Sequence, residues 1–166
     1  MEFLLFISFF ACQRISELLV AKRNEKWLRT QGAIEYGQKH YPYIVALHSL
    51  FIAAMIVEYI FRTDTQFDRS FFAIYLLLIV LKIWVIVSLG KYWNTKILRI
   101  PGMAPRRSGL YKYFRHPNYM IVVCEFIVVP FVFHLFYTAF IFTILNALLL
   151  NIRIREEDRV WNYENR

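Results

Sequence analysis

The stretch Arg115-His116-Pro117-Asn118-Tyr119 sets a permanent cation, an imidazole and a phenol at the start of an apolar run, Tyr119–Phe133. Pro117 lacks an amide hydrogen and has a preset φ, so it suits the first turn of a helix while it pushes His116 out of helical geometry. A helix start offers unpaired amides and a partial positive charge. With Arg115 beside it, such a place favours a carboxylate or phosphate. A second polar set, Arg153, Glu156, Glu157 and Asp158, follows the last apolar block, with Arg153 and Glu157 four apart on one helical face. Two readings of these clusters stand open. In the first, the cations snorkel to lipid phosphates, Tyr111, Tyr113 and Tyr119 form an interfacial aromatic belt, and the clusters neutralise one another. In the second, an Arg/His side and a carboxylate side together receive a ligand of mixed charge.

The elements that must carry these groups are membrane helices. Of 166 residues, 58% are hydrophobic and 19% aromatic, above the content of ordinary soluble domains. The apolar residues fall in five blocks, Phe3–Val20, Ile44–Phe61, Phe71–Leu89, Tyr119–Phe133 and Tyr137–Ile152. The expectation is an all-α integral membrane protein of one domain, residues 1–166, with five transmembrane helices. The first block has no basic residues before it and runs on into a basic helical end, so it reads as a membrane helix, not a cleaved signal. The last two blocks are short and joined by a few residues, which predicts a tight antiparallel hairpin bringing Tyr119 beside Ile152. Residues 91–118, rich in prolines and glycines, predict turns and short helix lying along the cytoplasmic interface as a cover.

Placement explains the net charge of +8. Residues 21–40 carry five Lys/Arg, residues 91–118 seven with no acid, and residues 151–166 four, while the 134–138 turn has none. By the positive-inside rule these basic segments are cytoplasmic, with the N-terminus outside and the C-terminus inside a bacterial plasma membrane. The charge therefore reads as topology and lipid-headgroup contact, with no nucleic-acid partner. Inside the apolar blocks, Arg14 and Glu17 share a helical face and can satisfy each other, and Lys82 and Glu125 fall near the same depth as candidates for an interhelical pair; such charges either fix helix register as ion pairs or line an acceptor cavity. His48 reads as a packed or hydrogen-bonded histidine. Cys12 and Cys124 have no metal-ligand spacing and read as packing residues, and no metal site is expected.

S-adenosylmethionine is a ligand of the mixed-charge kind: its carboxylate would seek Arg115 or the amides after His116, its hydroxyls and ammonium an acceptor such as Glu157. The run GLYKYFRHPNY, an apolar hairpin and then RIREEDRVW resemble the isoprenylcysteine carboxyl methyltransferase family, with the upstream LGKYW also similar. The resemblance covers roughly residues 88–161. It implies S-adenosylmethionine-dependent methyl transfer at the cytoplasmic membrane interface. Tyr111, Arg115, His116, Pro117 and Tyr119 match the first motif; Arg153, Glu157 and Asp158 match the second, with Asp158 where the family usually has Glu and Trp161 where it usually has Leu. Carried over residue by residue, Arg115, Arg153 and Glu157 are the expected catalytic set, and Tyr111, His116, Pro117, Tyr119 and Glu157 the expected cofactor set. The small size is similar to the bacterial branch, some of whose members resemble O-methyltransferases of alkylpyrones, so the expected acceptor is a lipophilic acidic enol or phenol. An isoprenylcysteine-like carboxylate is the alternative within the family. Outside it stand an NADPH-dependent membrane reductase, which shares the Arg-His-Pro-x-Tyr arrangement, and a non-enzymatic lipid-binding scaffold.

Overall fold

The computed structural model describes residues 1–104 and 106–164, the last four by backbone alone. Five helices carry the architecture: α1 (Glu2–Thr30), α2 (Tyr41–Phe61), α3 (Arg69–Leu89), α4 (Pro117–Phe131) and α5 (Phe136–Glu164). Two three-residue strands, β1 (Ile34–Tyr36) and β2 (Ile97–Arg99), pair antiparallel with Ile34 opposite Arg99 and Tyr36 opposite Ile97. Four helices, α1, α2, α3 and α5, are long and apolar enough to cross a membrane. α4, with 15 residues, is shorter than a full span.

Several aromatic side chains pack in the interior and many aliphatic ones stand outward, as is tolerated where the outer solvent is hydrocarbon. Phe3, Phe6, Phe10, Phe51, Tyr75 and Phe126 are buried, while Leu4, Leu50, Ile60, Leu77 and Val87 point outward. Phe3 stacks on Tyr59 with ring centroids 3.8 Å apart, and Phe51 lies 4.4 Å from Phe126, which locks α2 against α4. Cys12 and Cys124 are exposed on the outer surface, so the sequence reading of them as packing residues is corrected: each lies on the face of its helix turned away from the core.

The intramembrane charges collect into one buried network. Lys82 Nζ lies 2.5 Å and Arg14 2.8 Å from Glu125, and Arg14 lies 2.9 Å from Glu17. The expected pairs Arg14–Glu17 and Lys82–Glu125 are both present, joined by an Arg14–Glu125 contact that links α1, α3 and α4. Two cations face two carboxylates, so the network is neutral and its burial is tolerable. His48 donates from Nδ1 to the Ile44 carbonyl and meets the Phe126 ring edge-on, as a packed histidine.

The hairpin expected from the last two blocks is present, closed by residues 132–135 with His134 in the left-handed region. Glu58 of α2 accepts hydrogen bonds from the Tyr137 and Thr138 amides, capping α5 from a neighbouring helix. The expectation that the last helix is short is corrected. α5 runs for 29 residues because the polar stretch after Ile152 contains strong helix formers, no proline and no glycine, with Arg155 bonded to Asn151 one turn back. Residues 90–116 form the expected turns and short 3₁₀ segments, but β2 pairs with β1, which no local pattern announced. Asn24 of α1 donates to the Gly90 and Trp93 carbonyls, and Asn94 returns a bond to Ala21, pinning this segment to α1.

Candidate active site at the open end of the hairpin

Pro117 is in the first turn of α4 and His116, at φ −133°, ψ 59°, is its non-helical cap, as proline chemistry requires. Antiparallel packing then sets Tyr119 against the polar turn of α5. The Tyr119 hydroxyl donates to Glu157 at 2.6 Å and accepts from Arg153 Nε at 2.8 Å, so one oxygen joins a carboxylate and a guanidinium. His116 stacks on the Tyr119 ring at 5.2 Å with 11° between planes, and its Nδ1 lies 3.9 Å from Glu157. Arg153 also donates to the Thr95 carbonyl at 2.5 Å, and Thr95 is held through its hydroxyl by Tyr41 at 3.2 Å. Arg153 and Glu157, four apart in sequence, thus communicate through Tyr119.

His116, Tyr119, Arg153 and Glu157 lie on the wall of a cavity of about 940 Å³ bounded by the end of α1, residues 89–119 and the polar turn of α5. Every residue of the expected site lines it except Pro117, which is buried behind as the helix start. Burial holds the Tyr111 phenol well above its ordinary range, with Glu157 adding to the effect and Arg153 opposing it, so Tyr111 stays a neutral hydrogen-bonding group. Arg115 is more exposed, at 66%, and pairs with Asp158 at 2.5 Å, not with Glu157. The Trp161 side chain lies outside the described residues. Three polar atoms on cavity-lining residues, Trp93 Nε1, His116 Nε2 and Asn118 Oδ1, are buried with no hydrogen-bond partner among the described residues. Sequence reasoning did not select Thr95, Tyr41 or Asn118. Trp93 carried a signal, as the last residue of LGKYW, and Asn118 sits inside the motif, but Thr95 and Tyr41 acquire their place only through the fold.

The model of the isoprenylcysteine carboxyl methyltransferase family matches residues 71–162, from α3 through the polar turn of α5. The chain belongs to this family. Isoprenylcysteine carboxyl methyltransferases transfer a methyl group from S-adenosylmethionine, and the match covers the cavity wall described above, apart from the end of α1. Over nearly its full length the chain is similar to YpbQ, an uncharacterised protein of Bacillus subtilis, at 40% identity over 95% of both chains. An uncharacterised protein of Haemophilus influenzae is 32% identical over 96% of this chain and 97% of its own. No solved structure matches it. Family membership and four long apolar helices make this an integral membrane protein.

Proposed function

We propose that this protein is an S-adenosylmethionine-dependent O-methyltransferase, a single membrane-embedded domain acting on a lipophilic acidic acceptor at the cytoplasmic interface. The N-terminus is then outside and the polar end of α5 inside, in keeping with where the basic residues fall. The observation that carries the reading is the Tyr119-centred union of Arg153, Glu157 and His116 on the wall of a large cavity at the end of the apolar helices. The buried, unpartnered polar atoms of Trp93, His116 and Asn118 fit a ligand rich in donors and acceptors.

Bound S-adenosylmethionine would supply an activated methyl group, so an ionised acceptor oxygen needs no further activation. The work of this chain is binding, orientation and exclusion of water. Tyr111, His116 and Tyr119 line the cofactor's side, with Pro117 fixing the helix start behind them. Glu157 accepts hydrogen bonds there. Arg115 meets the carboxylate of the cofactor, and Arg153 steadies the acceptor anion. The acceptor we favour is an alkylpyrone-type enol or phenol, whose alkyl chain stays in lipid while its oxygen reaches the interface; an isoprenylcysteine-like carboxylate meets the same groups.

The test is S-adenosylhomocysteine binding to purified protein by calorimetry, beside folded Arg115→Ala and Glu157→Ala variants. Binding that is lost in both variants supports the reading. Binding of NADPH in place of S-adenosylhomocysteine would overturn it in favour of a reductase, and binding of neither would leave a lipid-binding scaffold.

A further inference from the structure

Residues 91–118 carry seven cations, and six of them line the cavity. Three of those six are engaged by the protein. Lys96 contacts Glu25 and Glu35, Arg99 donates to the Val160 carbonyl, and Arg115 pairs with Asp158. The other three, Arg106, Arg107 and Lys112, are exposed and have no carboxylate in salt-bridge range among the described residues. Large apolar side chains stand beside them with much of their surface open: Met103 is 44% exposed, Phe114 47% and Tyr113 79%. A water-facing loop has no use for this composition. Alternation of unpaired cations with exposed aromatic and thioether groups is the pattern of a segment lying in the headgroup region, its apolar groups among acyl chains and its cations at phosphates.

The segment is also built to hold that face in place. It leaves α3 at Leu89 and re-enters α4 at Pro117, so it lies across one end of the helical bundle. Arg106 is stacked over the Tyr92 ring at 4.8 Å, and Tyr92 rests edge-on against Trp27 of α1. Ser108 donates to the Ser88 carbonyl at 2.6 Å, and Gly109, with φ +56°, packs so closely that any Cβ would strike the Ser88 side chain. The three cations without a carboxylate partner therefore flank an anchor to the end of α3, and the same three line the cavity.

We propose that the face formed by Met103, Arg106, Arg107, Lys112, Tyr113 and Phe114 docks on anionic phospholipid headgroups, and that this docking steadies the cavity wall. The coupling to ligand rests on the methyltransferase reading of the cavity; the docking does not. Anionic lipid in the leaflet slows local opening of residues 106–116, so the site is fully ordered only on a negatively charged surface.

The protein is placed in nanodiscs of phosphatidylcholine, with or without phosphatidylglycerol, and amide exchange of residues 106–116 and S-adenosylhomocysteine affinity are measured in each. Phosphatidylglycerol is expected to slow exchange of this segment by roughly tenfold, given the attraction of each basic group to an anionic leaflet. The variant Arg106→Ala/Arg107→Ala/Lys112→Ala loses that protection. The charge-matched control Lys22→Ala/Arg23→Ala/Lys26→Ala, whose residues are exposed on α1 and outside the cavity, keeps it. Equal protection in the two variants, or none in the wild type, overturns the proposal. Equal protection by inorganic phosphate in phosphatidylcholine also overturns it, since the site then binds a soluble anion. Protection without S-adenosylhomocysteine binding upholds the docking and refutes the cofactor reading.

Discussion

Replacing Tyr119 by Phe keeps the ring on which His116 stacks and removes a single oxygen. That oxygen donates to Glu157 at 2.6 Å and accepts from Arg153 at 2.8 Å, so its loss strips one hydrogen bond from each of two charged groups. Hydrogen bonds to charged partners contribute about 1.5–3 kcal/mol each. Glu157 retains 25% side-chain exposure, so water replaces part of what it loses, and Arg153 keeps its bond to Thr95. With that compensation the two losses together come to about 1.5–3 kcal/mol, which corresponds to roughly a 10- to 150-fold weakening of S-adenosylhomocysteine. Calorimetry on the purified variant reads the affinity, and thermal unfolding in the same detergent reports whether the fold is intact. A folded Tyr119→Phe variant binding within about twofold of wild type would show that the hydroxyl does not organise the ligand's groups.

In the buried network, Glu125→Gln leaves Arg14 and Lys82 facing only Glu17, and a loss of about 3–5 kcal/mol is expected in reversible unfolding in detergent micelles. Adding Lys82→Met restores the balance, so the double variant is expected to be more stable than the sum of the single losses implies, a coupling read from the mutant cycle. Glu58→Ala uncaps the first turn of α5 and is expected to cost about 1–2 kcal/mol in the same assay, with ligand affinity preserved because the cap lies at the opposite end of the hairpin from the site. Gly109→Ala sets a methyl group into Ser88 at a left-handed backbone position; a loss of roughly 1–3 kcal/mol is expected, accompanied by faster proteolysis of the 100–116 segment.

The sequence was most informative where geometry is local or spacing is rigid. Pro117 announces a helix start from its own ring chemistry, Arg14 and Glu17 share a face by spacing, and a connection of a few residues forces α4 and α5 antiparallel, which alone brings Tyr119 to Arg153 and Glu157. Lys82 and Glu125 were legible because a single charge in hydrocarbon needs a partner. What escaped depends on contacts between distant segments. Three-residue strands are too short to show alternation, so the β1–β2 ribbon left no trace. The Tyr41–Thr95–Arg153 chain joins residues from three separate elements through a carbonyl, which no side-chain type encodes. α5 looked short because its apolar block ends near Ile152, whereas helix formation is indifferent to that polarity change. Cys12 and Cys124 turned outward because lipid accepts an apolar thiol as readily as a protein core does.

The neutral network of Arg14, Glu17, Lys82 and Glu125 also constrains how the chain is made. α1 can enter the bilayer alone, because Arg14 and Glu17 compensate each other within one turn. α3 carries Lys82 with no acid in its own span, and α4 carries Glu125 at its middle with only 15 residues. A lone charge at the centre of an inserting helix costs on the order of 2.5–3.5 kcal/mol, which a helix as short as α4 has little apolar length to offset. If α4 enters the bilayer, it is therefore expected to do so only once α3 is there to receive Glu125, with α3 and α4 inserting as partners. The helix that the Arg-His-Pro-Asn-Tyr motif opens is the one expected to depend most on a partner for its place in the bilayer.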